Sequence, residues 1–379
     1  MREKRKWIFI YRDFVTGGNE TLILRIARHI VNEGSACYLI CETVSSEMVR
    51  QIVEVGANIL KPQRWSTQSV VAEIPEQADV IMTFRITTYF LIKNSYDKCK
   101  VVMYCVHPDH LTFFNEKRTC DKKIKQLVFN RIIKTGTDNG TILYMDDESK
   151  CEVEKKYHFP IPADSVYFLP FEKSNAYKCW KAEDSKTILT ICRADFPFKS
   201  YVLGLVDAAK NIYNEGINLK LKIISYGKDL NQIIQKKEGL DYIELIGEVP
   251  YQELEKYYLA ADIYVGMGTT ILDAARIGIP AIVANVNSPQ FMSAGFFHEK
   301  PRTCAGFGEG EKGEDLLRTL LMCEASQLKK IGDVARKAFE DIYSMDKYIS
   351  RVEAISKGSS STVWEKMWFK ILKNRMTPF

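Results

Sequence analysis

The chain has 379 residues, 46% of them hydrophobic and 27% charged, and a net charge of +5. That length exceeds one ordinary core and predicts two globular domains of about 150 to 200 residues each; no stretch of about 18 apolar residues is present to span a bilayer. The positive excess is too small and dispersed to argue for nucleic acid, and ten scattered cysteines without a C-x-x-C pair read as small buried hydrophobes of a reducing, cytoplasmic compartment rather than disulfides or a zinc site.

In chain order, MREKRKWIFIYRDF starts basic, but its apolar run is short and meets Arg12-Asp13, so it predicts a first strand over 7–11 and no signal peptide. The loop that follows passes through Gly17-Gly18 into a helix with apolar residues at 22, 23, 26, 27 and 30. Read alone, the glycines turn the chain and Glu20 favours the helix start through its charge. Strands are then predicted over 36–41, 59–60, 80–84 and 101–105, with a helix near 46–55. Such β-α-β alternation implies a parallel, doubly wound sheet whose ligands sit at the carboxyl ends of the strands. The loop Val106-His107-Pro108-Asp109-His110 ends one of those strands and holds two of the five histidines, either as hydrogen-bonded loop residues or as site residues.

Residues 116–134 carry seven basic side chains against two acidic ones, with Ile124, Leu127, Val128 and Ile132 at helical spacing. Two readings stand: a solvated surface helix packed on its own domain, or a basic helix that touches anionic membrane. Asp146-Asp147-Glu148 has the charge to hold a divalent metal on a diphosphate, but it leads into the polar helix SKCEVEKKY, and N-capping is the preferred role. Residues 166–169 are expected to close the first sheet. The polar, aperiodic FEKSNAYKCWKAEDSK reads as the interdomain connection.

From Lys186 the alternation restarts through TILTICRADFPFKS, LKLKIISYG and YIELIGEVPYQELEKYYLAADIYV. The stretch ADIYVGMGTTILDAARIGIPAIVA then predicts a strand at 263–265, a turn at Gly266-Met267-Gly268, a helix over 269–277 and a strand at 281–283. Two glycines let backbone approach a ligand, and the unpaired N–H groups of the helix start, backed by its dipole, suit a phosphate or pyrophosphate. Thr269 or Thr270 is the expected N-cap, and Asp273, one turn on, is placed for a ribose hydroxyl. Helices follow over 315–324 and 328–342, and SMDKYISRVEAI makes another. In the tail, Thr362 with Glu365 forms a capping box, and Trp364, Met367, Trp368, Ile371 and Leu372 form one stripe beside four basic residues. That tail either crosses back onto the first domain or docks on membrane.

Taken in one frame, VGMGTTILDAARIGIP resembles the segment of GT-B glycosyltransferases of the family 4 type in which a glutamate, a G-x-G turn, a second glutamate eight residues on and G-x-P follow in order. Gly266, Gly268, Asp273, Gly278 and Pro280 fall on that pattern; Val265 stands where the first glutamate is usual. Arg193 and Lys199 are similar to the family's strand-end arginine and lysine, and Gly247, Glu248, Val249 and Pro250 to its base-side loop. Gly17, Gly18 and Glu20 resemble the GG-x-E entry, and His107 the histidine that reaches the donor sugar. The resemblance implies two Rossmann-like domains facing a cleft: an acceptor domain over 1–172, a nucleotide-sugar domain over 186–345 and terminal helices over 346–379. It implies transfer of a sugar from a nucleotide-diphosphate sugar, with retention of configuration and without metal or cofactor, to a glycan or lipid-linked glycan acceptor. Bacterial surface polysaccharide synthesis at the inner face of the plasma membrane is the implied setting. Arg193, Lys199 and His107 would be catalytic; Gly17, Gly18, Gly247 to Pro250, Gly266 to Thr270 (with Met267 and Thr269) and Asp273 would hold the donor. A sugar-nucleotide epimerase on the same fold and a non-catalytic nucleotide-binding subunit are the alternatives.

Overall fold

The computed structural model describes residues 4–15, 17–112, 122–181, 185–355 and 363–372. The chain divides into two compact units, one made of 1–171 with 345–379, the other of 172–344.

The first unit holds β1 (Lys6–Ile10), β2 (Asp13–Phe14), β3 (Ala36–Ile40), β4 (Thr43–Val44), β5 (Asn58–Leu60), β6 (Val80–Thr83), β7 (Lys100–Cys105) and β8 (Ile142–Tyr144). Six of them form a parallel sheet in the order β5-β3-β1-β6-β7-β8, with β2 and β4 as a separate short pair. The central strands are buried on both faces, as Trp7 to Ile10 and Val80 to Thr83 show, which is why they read as continuous apolar runs and not as alternation. The stretch 166–169 does not extend this sheet: Val166 makes an isolated bridge to Tyr144, and Pro170 has no N–H with which to continue it.

The helix Lys122–Asp138 packs on this sheet through Val128, Phe129, Ile132 and Ile133. The expected apolar face holds at Val128 and Ile132 but not at Leu127, which is 70% exposed; residues 116–121 and the side chain of Ile124 lie outside the described residues. Two C-terminal helices, Met345–Ala354 and Val363–Leu372, complete the first unit. Tyr348 is buried edge-on to Tyr104 with ring centres 5.5 Å apart. Trp364, Trp368 and Phe369 pack against the core, whereas Met367 is half exposed, so the apolar stripe runs through Phe369 instead. Glu365 reaches Lys93 at 3.1 Å in a buried ion pair; Thr362, its expected capping-box partner, and the side chains of Ile371 and Leu372 lie outside the described residues.

The second unit holds β9 (Lys186–Arg193), β10 (Leu219–Tyr226), β11 (Ile243–Ile246), β12 (Ile263–Gly266), β13 (Ala281–Ala284), β14 (Met292–Phe296) and β15 (Glu311–Lys312). Their order is β11-β10-β9-β12-β13-β14-β15, parallel from β11 to β13 and antiparallel at β14 and β15. The last two strands were not expected from the sequence, because their glycines and polar residues break any apolar run. The polar segment 172–181 is not a free connection. Lys178 is buried against Asp262 at 3.1 Å and its N–H donates to the Ile277 carbonyl, while Arg336 donates to the carbonyls of Ser174 and Ala176. These attachments are single side chains and backbone groups, which leave no periodic trace. No described helix is long and apolar enough to cross a membrane.

Candidate functional site

In the second unit the chain runs from β9 outward through β10 and β11, then returns to the other side of β9 with β12 and β13. The order of strands therefore reverses between β9 and β12, and a crevice opens there beyond their carboxyl ends. The register pairs Leu189 with Tyr264. Arg193 and Gly268 each lie four residues beyond that pair, so both stand on the same edge of the sheet.

Arg193 ends β9 with its side chain half exposed and its Nε 2.5 Å from Asp195 Oδ2. Lys199 is partly buried, and burial pushes its amine below the ordinary lysine value; the charge of Arg193 pushes the same way, against Cys192 and Asp195. The charge of Arg193 thus reaches Lys199, while Asp195 pairs the guanidinium itself. The loop between them is fixed from several sides. Ala194 N–H donates to Tyr226 O at 2.6 Å, Phe196 N–H to Asp229 Oδ2 at 2.8 Å, and Asn287 N–H to Phe198 O at 3.1 Å. Gly227 is required below it: its φ is +125°, and a Cβ would lie 2.8 Å from Ala194 O.

After β12 the chain turns at Gly266-Met267-Gly268 into the helix Thr269–Ile277. Gly268 occupies the N-cap at φ +73°, with open space where a side chain would stand and its own N–H donating to Cys304 O at 2.7 Å. Neither threonine is the cap. Thr270 Oγ1 donates back to Met267 O at 3.1 Å, and no side chain caps the helix. The reason is the position of the glycine, whose left-handed φ sets the helix start one residue earlier than the hydroxyls require. The partly exposed first turn at Thr269 and Thr270 thus presents N–H groups without a side-chain cap.

Asp273 is 2% exposed. Its Oδ1 accepts from Tyr251 Oη at 3.0 Å and lies 3.3 Å from Arg276 Nη2. Tyr251 follows the exposed loop Gly247-Glu248 and the residues Val249 and Pro250, so its phenol ties that loop to the helix. This cross-loop bond has no local signature in the sequence. Burial raises the Tyr226 phenol, and the charges of Arg193 and Glu248 act on it in opposite directions, which places the ends of β9, β10 and β11 together. Val265 is fully buried in the core of this unit. Asp146, in the first unit, accepts from Ser149 N–H at 2.7 Å as an N-cap, and no group of three metal-ligating acidic, cysteine or histidine side chains occurs among the described residues.

The first unit repeats the reversal of strand order between β1 and β6. Gly17 is the N-cap of the helix Gly18–Asn32, and the buried Glu20 carboxylate lies where a Cβ on Gly17 would be. His107, after β7, accepts the Asp109 N–H at its Nδ1 (3.2 Å); the neutral ring therefore carries its proton on Nε2. Burial holds His107 below the ordinary histidine value and pushes His110 down to about 3, with the positive charge of Arg85 acting on both. Arg85, exposed at the end of β6, was not singled out in the sequence because a lone arginine after an apolar run has no distinguishing pattern.

Residues 178–294, which include β9 to β13, match the family described as Glycosyl transferases group 1. No curated protein sequence matches the chain. Solved structures share its fold at low identity. A glycosyltransferase from Rickettsia africae is 14% identical with a TM-score of 0.66, covering 94% of this chain and 100% of its own. A mutant of TarM from S. aureus, in complex with Fondaparinux, alpha-GlcNAc-glycerol and UDP, is 9% identical with a TM-score of 0.64 over 93% and 99%. A putative UDP-N-acetylglucosamine 2-epimerase from Listeria monocytogenes is 11% identical with a TM-score of 0.53 over 93% and 97%. Residues 178–294 are accordingly a segment of the Glycosyl transferases group 1 type, carried in a chain of GT-B fold.

Proposed function

We propose that the protein is a glycosyltransferase that moves a sugar from a nucleoside-diphosphate sugar to a glycan or lipid-linked glycan acceptor, with retention of anomeric configuration. The observation that supports it is the pairing of Arg193 and Lys199 on one side of the β9/β12 crevice with the uncapped first turn at Thr269 and Thr270 on the other. Cations and helix N–H groups suit one diphosphate. Asp273, held by Tyr251, would take the ribose hydroxyls, the loop from Gly247 to Pro250 the base, and the glycines at 266 and 268 give the phosphates access to backbone. His107 would donate its Nε2–H to a sugar hydroxyl, and Gly17 and Gly18 would leave room for the substrates.

The reaction breaks the bond from the anomeric carbon to the phosphate oxygen and forms one to the acceptor oxygen on the same face. The departing diphosphate takes the acceptor proton. Arg193 and Lys199 offset the charge that grows on it, so no metal ion is required for that step. The setting we favour is surface polysaccharide synthesis at the cytoplasmic face of a bacterial membrane.

Thermal-shift titration with UDP, GDP, TDP and ADP sugars tests the reading. One of them should raise the melting temperature, by an amount equivalent to about 2.7 kcal/mol at a hundred times Kd, and Arg193→Ala should abolish the rise. Turnover should persist in excess EDTA, and the product should keep the donor's anomeric configuration by proton NMR. A C2-epimerised sugar nucleotide formed without acceptor would replace this reading with epimerase chemistry. Nucleotide affinity without turnover, unaffected by Arg193→Ala, would identify a binding subunit instead.

A further inference from the structure

Arg85 belongs to none of the roles assigned above. It lies two residues past Thr83, whose register partners are Ile10 on β1 and Met103 on β7, so it stands at the centre of the first unit's strand-end edge, beside the reversal of strand order. The helix Ile86–Ser95 that it opens packs against the turn Pro108–Leu111, which carries His110 and is capped by His107. Arg85 is exposed and has no ion-pair partner among the described residues, whereas Arg12 on the same edge is 2.5 Å from Glu42.

Tyr11 stands beside it at the end of β1, with its ring 5.7 Å from that of Phe84. Its oxygen accepts from Asn19 Nδ2 at 3.1 Å, which leaves the phenolic O–H to donate elsewhere. Burial raises the phenol, the Asn19 bond and the Arg85 charge lower it, and Glu20 and Asp13 raise it, so the proton stays on. Of those two acids, Glu20 lies behind Gly17 and Asp13 accepts from Thr43 Oγ1 at 2.6 Å. The neighbouring histidines are kept neutral, as described. The edge therefore offers the Arg85 guanidinium, without an ion-pair partner among the described residues, and the phenolic donor of Tyr11.

We propose that Arg85 and Tyr11 bind an oxyanion of the acceptor, a phosphate ester or a carboxylate on its glycan, and so orient it in the first unit. This rests on the glycosyl-transfer reading for the word acceptor; the binding itself does not. A planar guanidinium holds either oxyanion by two parallel hydrogen bonds, and the phenol adds a third.

The test titrates the full chain, saturated with whichever of UDP, GDP, TDP and ADP it binds, with methyl phosphate and separately with methyl glucuronide, while the ring C–H signals of His107 and His110 are followed by NMR. Saturable shifts with one of these probes are expected, and the probe that produces them identifies phosphate or carboxylate. Arg85→Gln should weaken that binding by about tenfold or more, as loss of a charged hydrogen-bonding partner does, and Tyr11→Phe by less, with the nucleotide-induced rise in melting temperature unchanged in both. Absence of saturable shifts with either probe, or equal affinity in Arg85→Gln, would overturn the proposal. Failure of all four nucleoside diphosphates to bind would strike the glycosyl-transfer reading, while failure of both probes with the cognate nucleotide bound strikes only this site.

Discussion

Val265 shows how a single side chain limits what the site can become. It is fully buried among apolar neighbours, so Val265→Glu, which supplies the carboxylate usual in the family, would place a charge in that core. A loss of about 3 kcal/mol or more is expected, read as a fall in the melting temperature of the second unit. Asp146 gives a sharper test. Its Oδ2 is buried without a hydrogen-bond partner, and burial raises its carboxyl from 3.8 to about 6. The native state holds that proton more tightly than the unfolded chain, so stability falls as pH rises from about 4 to about 6 and stays lower above. Asp146→Asn keeps an N-cap acceptor and should be more stable than wild type at pH 8, by at most about 3 kcal/mol, with no gain at pH 4; denaturant titrations at the two values check it. The glycine turn and Asp273 were legible as a strand, turn and helix start suited to an anion, whereas Arg193 and Lys199 were singled out only through the family resemblance. Local spacing could not show that Tyr251 bonds Asp273 across a loop, nor that Gly268 displaces the threonines from the cap.

Helices and strands with strong apolar periods were legible, and those held by individual polar contacts were not. The helix Lys122–Asp138 was expected, but its buried face is set by Phe129 and Ile133 as much as by Val128 and Ile132, and aromatic burial outweighed the simpler spacing through Leu127. The helix Val363–Leu372 illustrates the cost of removing half of a buried pair. Burial opposes the charge of Lys93, but Tyr89 and Glu365 outweigh it and raise the amine above its ordinary value. Glu365→Leu alone, or Lys93→Met alone, should therefore lose about 3 to 5 kcal/mol, whereas the double variant should recover most of that loss. A double-mutant cycle in chemical denaturation measures the difference. The stacking of Arg131 over the Trp364 ring, 4.5 Å from its centre, gives the same helix a second attachment. Neither contact is visible in a sequence in which these residues lie more than two hundred positions apart.

Two parallel sheets with separate cores were readable from the alternation of strands and helices, because buried central strands leave unbroken apolar runs. The antiparallel margin of the second sheet and the packed segment 172–181 were not. Each unit has its own core, so calorimetry should resolve two transitions, with the cognate nucleotide raising that of 172–344. A chain ending at residue 344 should lose roughly 5 kcal/mol or more from the other transition, since Tyr348, Ile349 and Val352 are all buried in the first unit. The return of the chain to its first unit also bears on biosynthesis. Residues 345–372 leave the ribosome only after the whole of 172–344, so the second unit can reach its final structure while the first still lacks its closing helices. A nascent chain stalled with residue 344 just outside the ribosome should thus already resist protease through 185–344 and remain sensitive before residue 171.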